Sequence, residues 1–181
     1  MVAPIPSATV IVLRERQPSY EVLLVRRNAR LDFHGGYWVF PGGRIDADDY
    51  ATASSDDVVE AARHAAVREA REEAGITIDA GALVLMSRWT TPPTLPKRFI
   101  TWFFLGIGSA EPVQVDGGEI VAHQWLSPGQ AVSLHQQGEL RLPPPTAHTL
   151  LELSEFGSIE AALGHIRGRP VPIFAPGLPP S

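Results

Sequence analysis

A single α+β or α/β domain with a mixed β-sheet is the fold class this chain predicts. Three observations carry that expectation. The 181 residues suit one domain with a sizeable core. Hydrophobic content of 44% and charged content of 19% are those of a globular protein, neither disordered nor coiled. β-Branched runs and helical patterns follow one another in the order strands, helix, strands, helices, which points to a sheet covered by helices.

The elements follow in chain order. Ala8–Leu13 (ATVIVL) is β-branched and reads as a buried strand. Tyr20–Val25 reads as its partner, with Arg14–Ser19 as the hairpin loop. Tyr37–Phe40 is a short strand ending in a Pro41-Gly42-Gly43 turn. The small, polar stretch Asp46–Ser55 reads as a solvated connection. Ser54 or Ser55, with Asp56 and Asp57, is expected to cap a helix running to about Ala74, and Gly75 suits its left-handed C-cap. Strands are expected near Ala82–Met86, Arg98–Gly106 and Glu119–Leu126. Two short helices within 146–167 follow, one after Thr146 and one after Ser158, and a Pro-rich tail fills 170–181.

Bulk chemistry excludes several functions. A net charge of −5 argues against a duplex nucleic-acid partner, which calls for a basic footprint. With no cysteine there is no disulfide, zinc-thiolate site or thiol catalysis. No window approaches a membrane span, and no basic n-region with an apolar core marks a secretory signal. The C-terminal Pro179-Pro180-Ser181 is not a peroxisomal address, so the expected location is cytoplasmic.

Chemistry concentrates in Arg68-Glu69-Ala70-Arg71-Glu72-Glu73-Ala74-Gly75-Ile76. Glu69, Glu72 and Glu73 lie at i, i+3 and i+4 and share one helical face. They also occupy the last turns of the helix, where negative charge opposes the macrodipole by about 0.3–1 kcal/mol each. Pairing with Arg68 and Arg71 on a solvated face is one explanation. A hard cation is the other: Mg²⁺ takes one or two carboxylates together with substrate phosphates.

From Gly43 to Ile76 the chain resembles the Nudix box: Gly, five residues, Glu, seven residues, then Arg-Glu-apolar-any-Glu-Glu-any-Gly-apolar. Arg68, Glu69, Ala70, Glu72, Glu73, Gly75 and Ile76 fill every fixed position of the second half. Glu60, eight residues before Arg68, matches the upstream glutamate. Sixteen residues then separate Gly43 from Glu60 where the pattern has five, an insertion of eleven that falls in the Asp46–Ser55 region. The resemblance implies an α/β/α sandwich with a mixed central sheet. It also implies hydrolysis of a diphosphate linkage assisted by Mg²⁺ or Mn²⁺. By the same resemblance Glu69, Glu73, Glu72 and the Gly43 carbonyl are metal ligands, and Arg68 orients the glutamates. Glu119, in Asp116-Gly117-Gly118-Glu119, is the candidate general base, with a plain turn carboxylate as the alternative.

Leu23–Gly36, leading into Phe40-Pro41-Gly42-Gly43, is similar to the coenzyme A diphosphatase pattern at Arg27, Gly36 and the terminal turn, whereas Asp32 stands where an arginine is expected. The Pro-rich stretches Thr91–Phe99 and Leu142–Thr146 also look like the peroxisomal branch of those enzymes and its bacterial relatives. The substrate candidates are Arg26, Arg27, Arg30 and Lys97, each with a solvated surface role as the alternative. The expected partner is a small-molecule diphosphate, coenzyme A or an acyl-coenzyme A first, with no nucleic acid and no membrane. A homodimer is left open. A Nudix enzyme of nucleotide sugars or dinucleotides is the second expectation, and a nucleotide-sensing module that does not cleave is the third.

Overall fold

The computed structural model describes residues 2–32, 34–53 and 57–177. Phe33, the capping candidates Ser54, Ser55 and Asp56, and the end of the tail at 178–181 lie outside them. Among the described residues eight strands form one mixed sheet: β1 (Ile5–Arg16), β2 (Ser19–Arg27), β3 (Trp38–Val39), β4 (Gly42–Arg44), β5 (Val84–Thr90), β6 (Phe99–Ile107), β7 (Ile120–Leu126) and β8 (Ile173–Phe174). Five α-helices of the described residues flank it: α1 (Ala47–Thr52), α2 (Val58–Ala74), α3 (Pro128–Gln136), α4 (Pro144–Leu153) and α5 (Ile159–Arg167). Among the described residues no helix is long and apolar enough to cross a membrane.

The strand order is β3-β2-β1-β6-β5-β8, with β4 on β1 and β7 on β2. β1 and β6 run parallel, and so do β5 and β8, while the other pairings are antiparallel. The continuous apolar run of β1 follows from burial on both faces. Ile11 and Leu13 join Tyr20, Val22, Leu24 and Phe103 in a core covered by α3, α4 and α5. Ala8, Val10 and Val12 join Leu23, Val25 and Phe104 in a second core under α2. There α2 presents Ala62, Ala65, Ala66, Ala70 and Ala74, so the helix seats on the sheet through small side chains.

β1 and β2 pair only from Leu13–Arg16 to Ser19–Val22 and then diverge. The 38–44 segment enters the gap: β3 pairs with β2 at Val25 and Arg26, and β4 pairs with β1 at Ser7, Ala8 and Thr9. Thus Gly42 and Gly43 are strand residues of β4, a correction to the expected turn. A Cβ on Gly42 would stand 2.5 Å from the Ala8 carbonyl oxygen, which only glycine avoids.

Other expectations shift. Asp57 caps α2 and accepts a bond from the Val59 amide. The Asp46–Ser55 connection contains α1, closed by a capping box between Asp46 and Asp49. α3, not expected, begins with Ser127-Pro128 and a Ser127/Gln130 capping box. α4 is capped by Pro143 with proline in its first turn, and Thr146 is buried within it. Ser158 caps α5 as expected. The Pro-rich tail contributes β8.

Candidate metal and diphosphate site

The site forms where the end of α2 meets β4. Gly75 closes the helix at φ 68°, with the Ile76 amide donating to the Ala70 carbonyl at 3.2 Å. This ending fixes the azimuth of the preceding turns. Glu73, 5% exposed, points at β4, where its Oε2 accepts the Gly42 amide at 3.0 Å. Glu69 lies one turn earlier and presses on Gly43: a Cβ there would stand 2.1 Å from Glu69 Oε1. Two carboxylates therefore abut bare backbone.

Arg68 organises the cluster. Its guanidinium makes a fork to Asp49, Nε to Oδ1 at 3.2 Å and Nη2 to Oδ2 at 3.0 Å. Nη1 donates to Glu69 at 3.0 Å and to Glu72 at 3.2 Å, and Nη2 also reaches the Arg44 carbonyl at 2.9 Å. Asp49 is buried at 4% exposure. It follows Gly43 after five residues, the spacing of the first half of the motif, with Asp where the motif has Glu, and it is the acid that meets the Arg68 fork. Glu60, taken from the sequence for that position, is instead half-exposed and faces His64 at 3.7 Å. The buried acid of α1 was legible only as a count of five from Gly43. Its polar setting concealed it.

Burial sets the electrostatics. Desolvation pushes the Glu73 carboxyl up to about 8, opposed by the Gly42 amide and Arg27 and reinforced by Glu69 and Glu119. Desolvation likewise raises Glu69, against the lowering effect of Arg68, with Glu72 and Glu119 adding to the rise. For Arg68 desolvation opposes the charge, but hydrogen bonds and charges from Asp49 and Glu69 outweigh it and raise its pKa. The pairing is one-sided because Arg68 meets four acids, Asp46, Asp49, Glu69 and Glu72, while Glu69 shares that one cation with the others. Among the described residues no three carboxylate or imidazole groups converge to hold an ion unaided. A buried carboxylate, Glu73, and a partly buried one, Glu69, short of counter-charge fit an Mg²⁺ or Mn²⁺ ion that draws its remaining oxygens from solvent and substrate.

The other candidates separate. Glu72 is exposed at the helix end and tied to Arg68. Glu119 is exposed on the loop before β7, which Asn28 and Asp116 brace: the Asn28 amide donates to the Glu119 carbonyl at 2.7 Å, and Asp116 accepts from Gly118 and Ile120. Its charge reaches Glu69 and Glu73. Arg27 acts on Glu73. Arg26 stands over the Trp38 ring at 5.7 Å, and the pairing of β2 with β7 shifts register between Arg26 and Arg27. Arg30 is exposed in the following turn. Lys97 lies over Phe99, and its neighbour Arg98 is buried on the carbonyls of Val2 and Thr91. Trp89 stacks on Phe174 with centroids 4.0 Å apart.

The NUDIX domain family model matches residues 3–148. The chain is 28% identical over 170 residues to nudix hydrolase 7 of Caenorhabditis elegans, covering 74% of this chain and 56% of that protein. It is 37% identical over 86 residues to human acyl-coenzyme A diphosphatase NUDT19, covering 46% and 23% respectively. The chain thus spans about half of one curated relative and a quarter of the other. The crystal structure of a NUDIX hydrolase from Alicyclobacillus acidocaldarius superposes with a TM-score of 0.80 and 28% identity, over 91% of this chain and 97% of that one. A sheet between two helical layers, with a box whose glutamates close on the Gly42-Gly43 strand, places this chain in the NUDIX domain family.

Proposed function

We propose that the chain is a metal-dependent hydrolase of a diphosphate linkage in a nucleoside diphosphate derivative, with coenzyme A or an acyl-coenzyme A as the first substrate to test. The observation that carries this reading is the pair Glu69 and Glu73, set against Gly43 and Gly42 with Glu73 buried, and flanked by Arg27 and Glu119. A bound Mg²⁺ or Mn²⁺ would neutralise diphosphate charge and lower the pKa of water. Glu69, Glu73 and the Gly43 carbonyl would hold it. The chain's own groups supply the rest. Arg68 holds Glu69 and Glu72 in one orientation and is itself held by Asp49. Arg27 offers positive charge to a diphosphate oxygen. Glu119 accepts the proton of the attacking water in this reading, from a loop that Asn28 keeps beside the site. The coenzyme A preference draws on the Arg27, Gly36 and Phe40–Gly43 pattern and on the named activity of the human relative.

The test is phosphate-product release from coenzyme A, ADP-ribose, dinucleotides and nucleoside triphosphates with Mg²⁺ or Mn²⁺. Turnover of coenzyme A above the others is expected, and no turnover of any would overturn the reading. Glu73→Gln is expected to lower kcat by orders of magnitude while keeping the circular dichroism of the folded chain. Wild-type activity in that variant would remove Glu73 from the metal set.

A further inference from the structure

The loop between α3 and α4 is fastened to β3 by the Trp38 amide, which donates to the Arg141 carbonyl at 2.9 Å. The Arg141 guanidinium lies over the Tyr37 ring at 4.4 Å, and its Nη2 donates to the Tyr37 hydroxyl at 3.2 Å. Arg141 enters none of the ion pairs among the described residues. A cavity of about 240 Å³ opens there, lined by Tyr37, His135, Gly138, Leu140, Arg141 and Leu142. His135 Nδ1–H donates to the Leu140 carbonyl at 2.8 Å and sets one wall.

We propose that Tyr37 and Arg141 form a binding site for a phosphomonoester that the substrate carries apart from its scissile diphosphate. The proposal rests on the nucleoside diphosphate reading above. Tyr37 links the two places: its carbonyl accepts the Arg27 amide at 3.0 Å, and Arg27 acts on Glu73. One arginine serves the diphosphate and the other faces the cavity, with Tyr37 between them. The guanidinium covers a face of the Tyr37 ring, so the group presents N–H and O–H donors rather than an open ring for stacking. That favours an anion over a nucleobase. A planar fork beside a hydroxyl matches the oxygens of a phosphomonoester. Tyr37 is itself backed by the His34 ring, edge-on at 5.2 Å.

The experiment titrates adenosine 3′,5′-bisphosphate and AMP into the full chain by calorimetry; the two differ only in the 3′-phosphate. The bisphosphate is expected to bind at least about tenfold more tightly, the loss expected for one charge-assisted contact. Arg141→Ala is expected to bring that ratio to about one, and Arg141→Lys, with charge but no fork, to an intermediate value. Equal wild-type affinities, or a ratio that survives Arg141→Ala in a variant with an unchanged melting curve, would overturn the site alone. If neither nucleotide binds and no diphosphate is cleaved, the nucleotide reading fails with it.

Discussion

Glu73 carries the largest electrostatic consequence of any side chain in the site. In metal-free protein its folded pKa is about 8 against an ordinary 4.5, because burial disfavours the carboxylate. Between those values the folded state binds more protons than the unfolded chain, so stability falls as pH rises from about 4.5 to about 8 and the contribution then levels off. Glu69, raised by the same first cause, adds to that slope. Denaturant titrations with chelator at pH 5 and pH 8 are expected to show the wild type losing stability at the higher pH. Glu73→Gln is expected to flatten much of the difference and to be more stable than wild type at pH 8, by at least about 1 kcal/mol. An unchanged slope in the variant would mean that Glu73 is hydrated in the folded chain. Asp49 has the opposite character, a buried carboxylate with its guanidinium in place. Asp49→Asn keeps the shape and removes the charge from the Arg68 fork. It is expected to cost about 1–2 kcal/mol, below the range for fully buried pairs because Arg68 is partly exposed, and to lower hydrolysis as Glu69 loses a fixed neighbour. A denaturation midpoint equal to wild type would show the fork to be unimportant for stability.

α2 delivers its carboxylates through its ending as much as through its spacing. The glutamate pattern was readable because 3.6-residue periodicity is local, and Gly75 was readable because a left-handed residue after a helix selects glycine. Gly75→Ala places a Cβ 3.3 Å from that of Gln114 at a φ of 68°. It is expected to cost about 1 kcal/mol in thermal or chemical denaturation, with reduced activity as the last turn re-aims Glu73. No loss of stability would show that the C-cap can relax. α1 was not readable in the same way. Its six residues are short of what a helix can sustain without tertiary contacts, and Asp49 becomes a structural residue only when Arg68 arrives from α2. The starts of α3 and α4 carried proline and capping signals that local rules do describe.

Across the molecule, the C-terminal segment closes the sheet. β8 pairs with β5 at Arg88 and Trp89, and Phe174 covers the Trp89 ring while meeting His148 of α4 at 4.8 Å. Phe174→Ala is expected to lose about 1–2 kcal/mol of stability with the box chemistry intact, measured as melting temperature and kcat on the same substrate. A fall in activity with no change in melting would move Trp89 and Phe174 into the substrate path. Tyr20 of β2 ties the sheet to the end of α4, its hydroxyl donating to the Leu153 carbonyl at 2.6 Å, and burial lifts the phenol to about 12. The strands of the core, the long helix, its glutamates and the family resemblance were all present in the amino-acid order, because periodicity, caps and a fixed motif are properties of neighbours in the chain. The path of Gly42-Gly43 through a split sheet, the choice of Asp49 over Glu60, and the register shift between Arg26 and Arg27 required the assembled fold. These depend on which groups lose water together and which backbone stands opposite them, and residues far apart in the chain decide that.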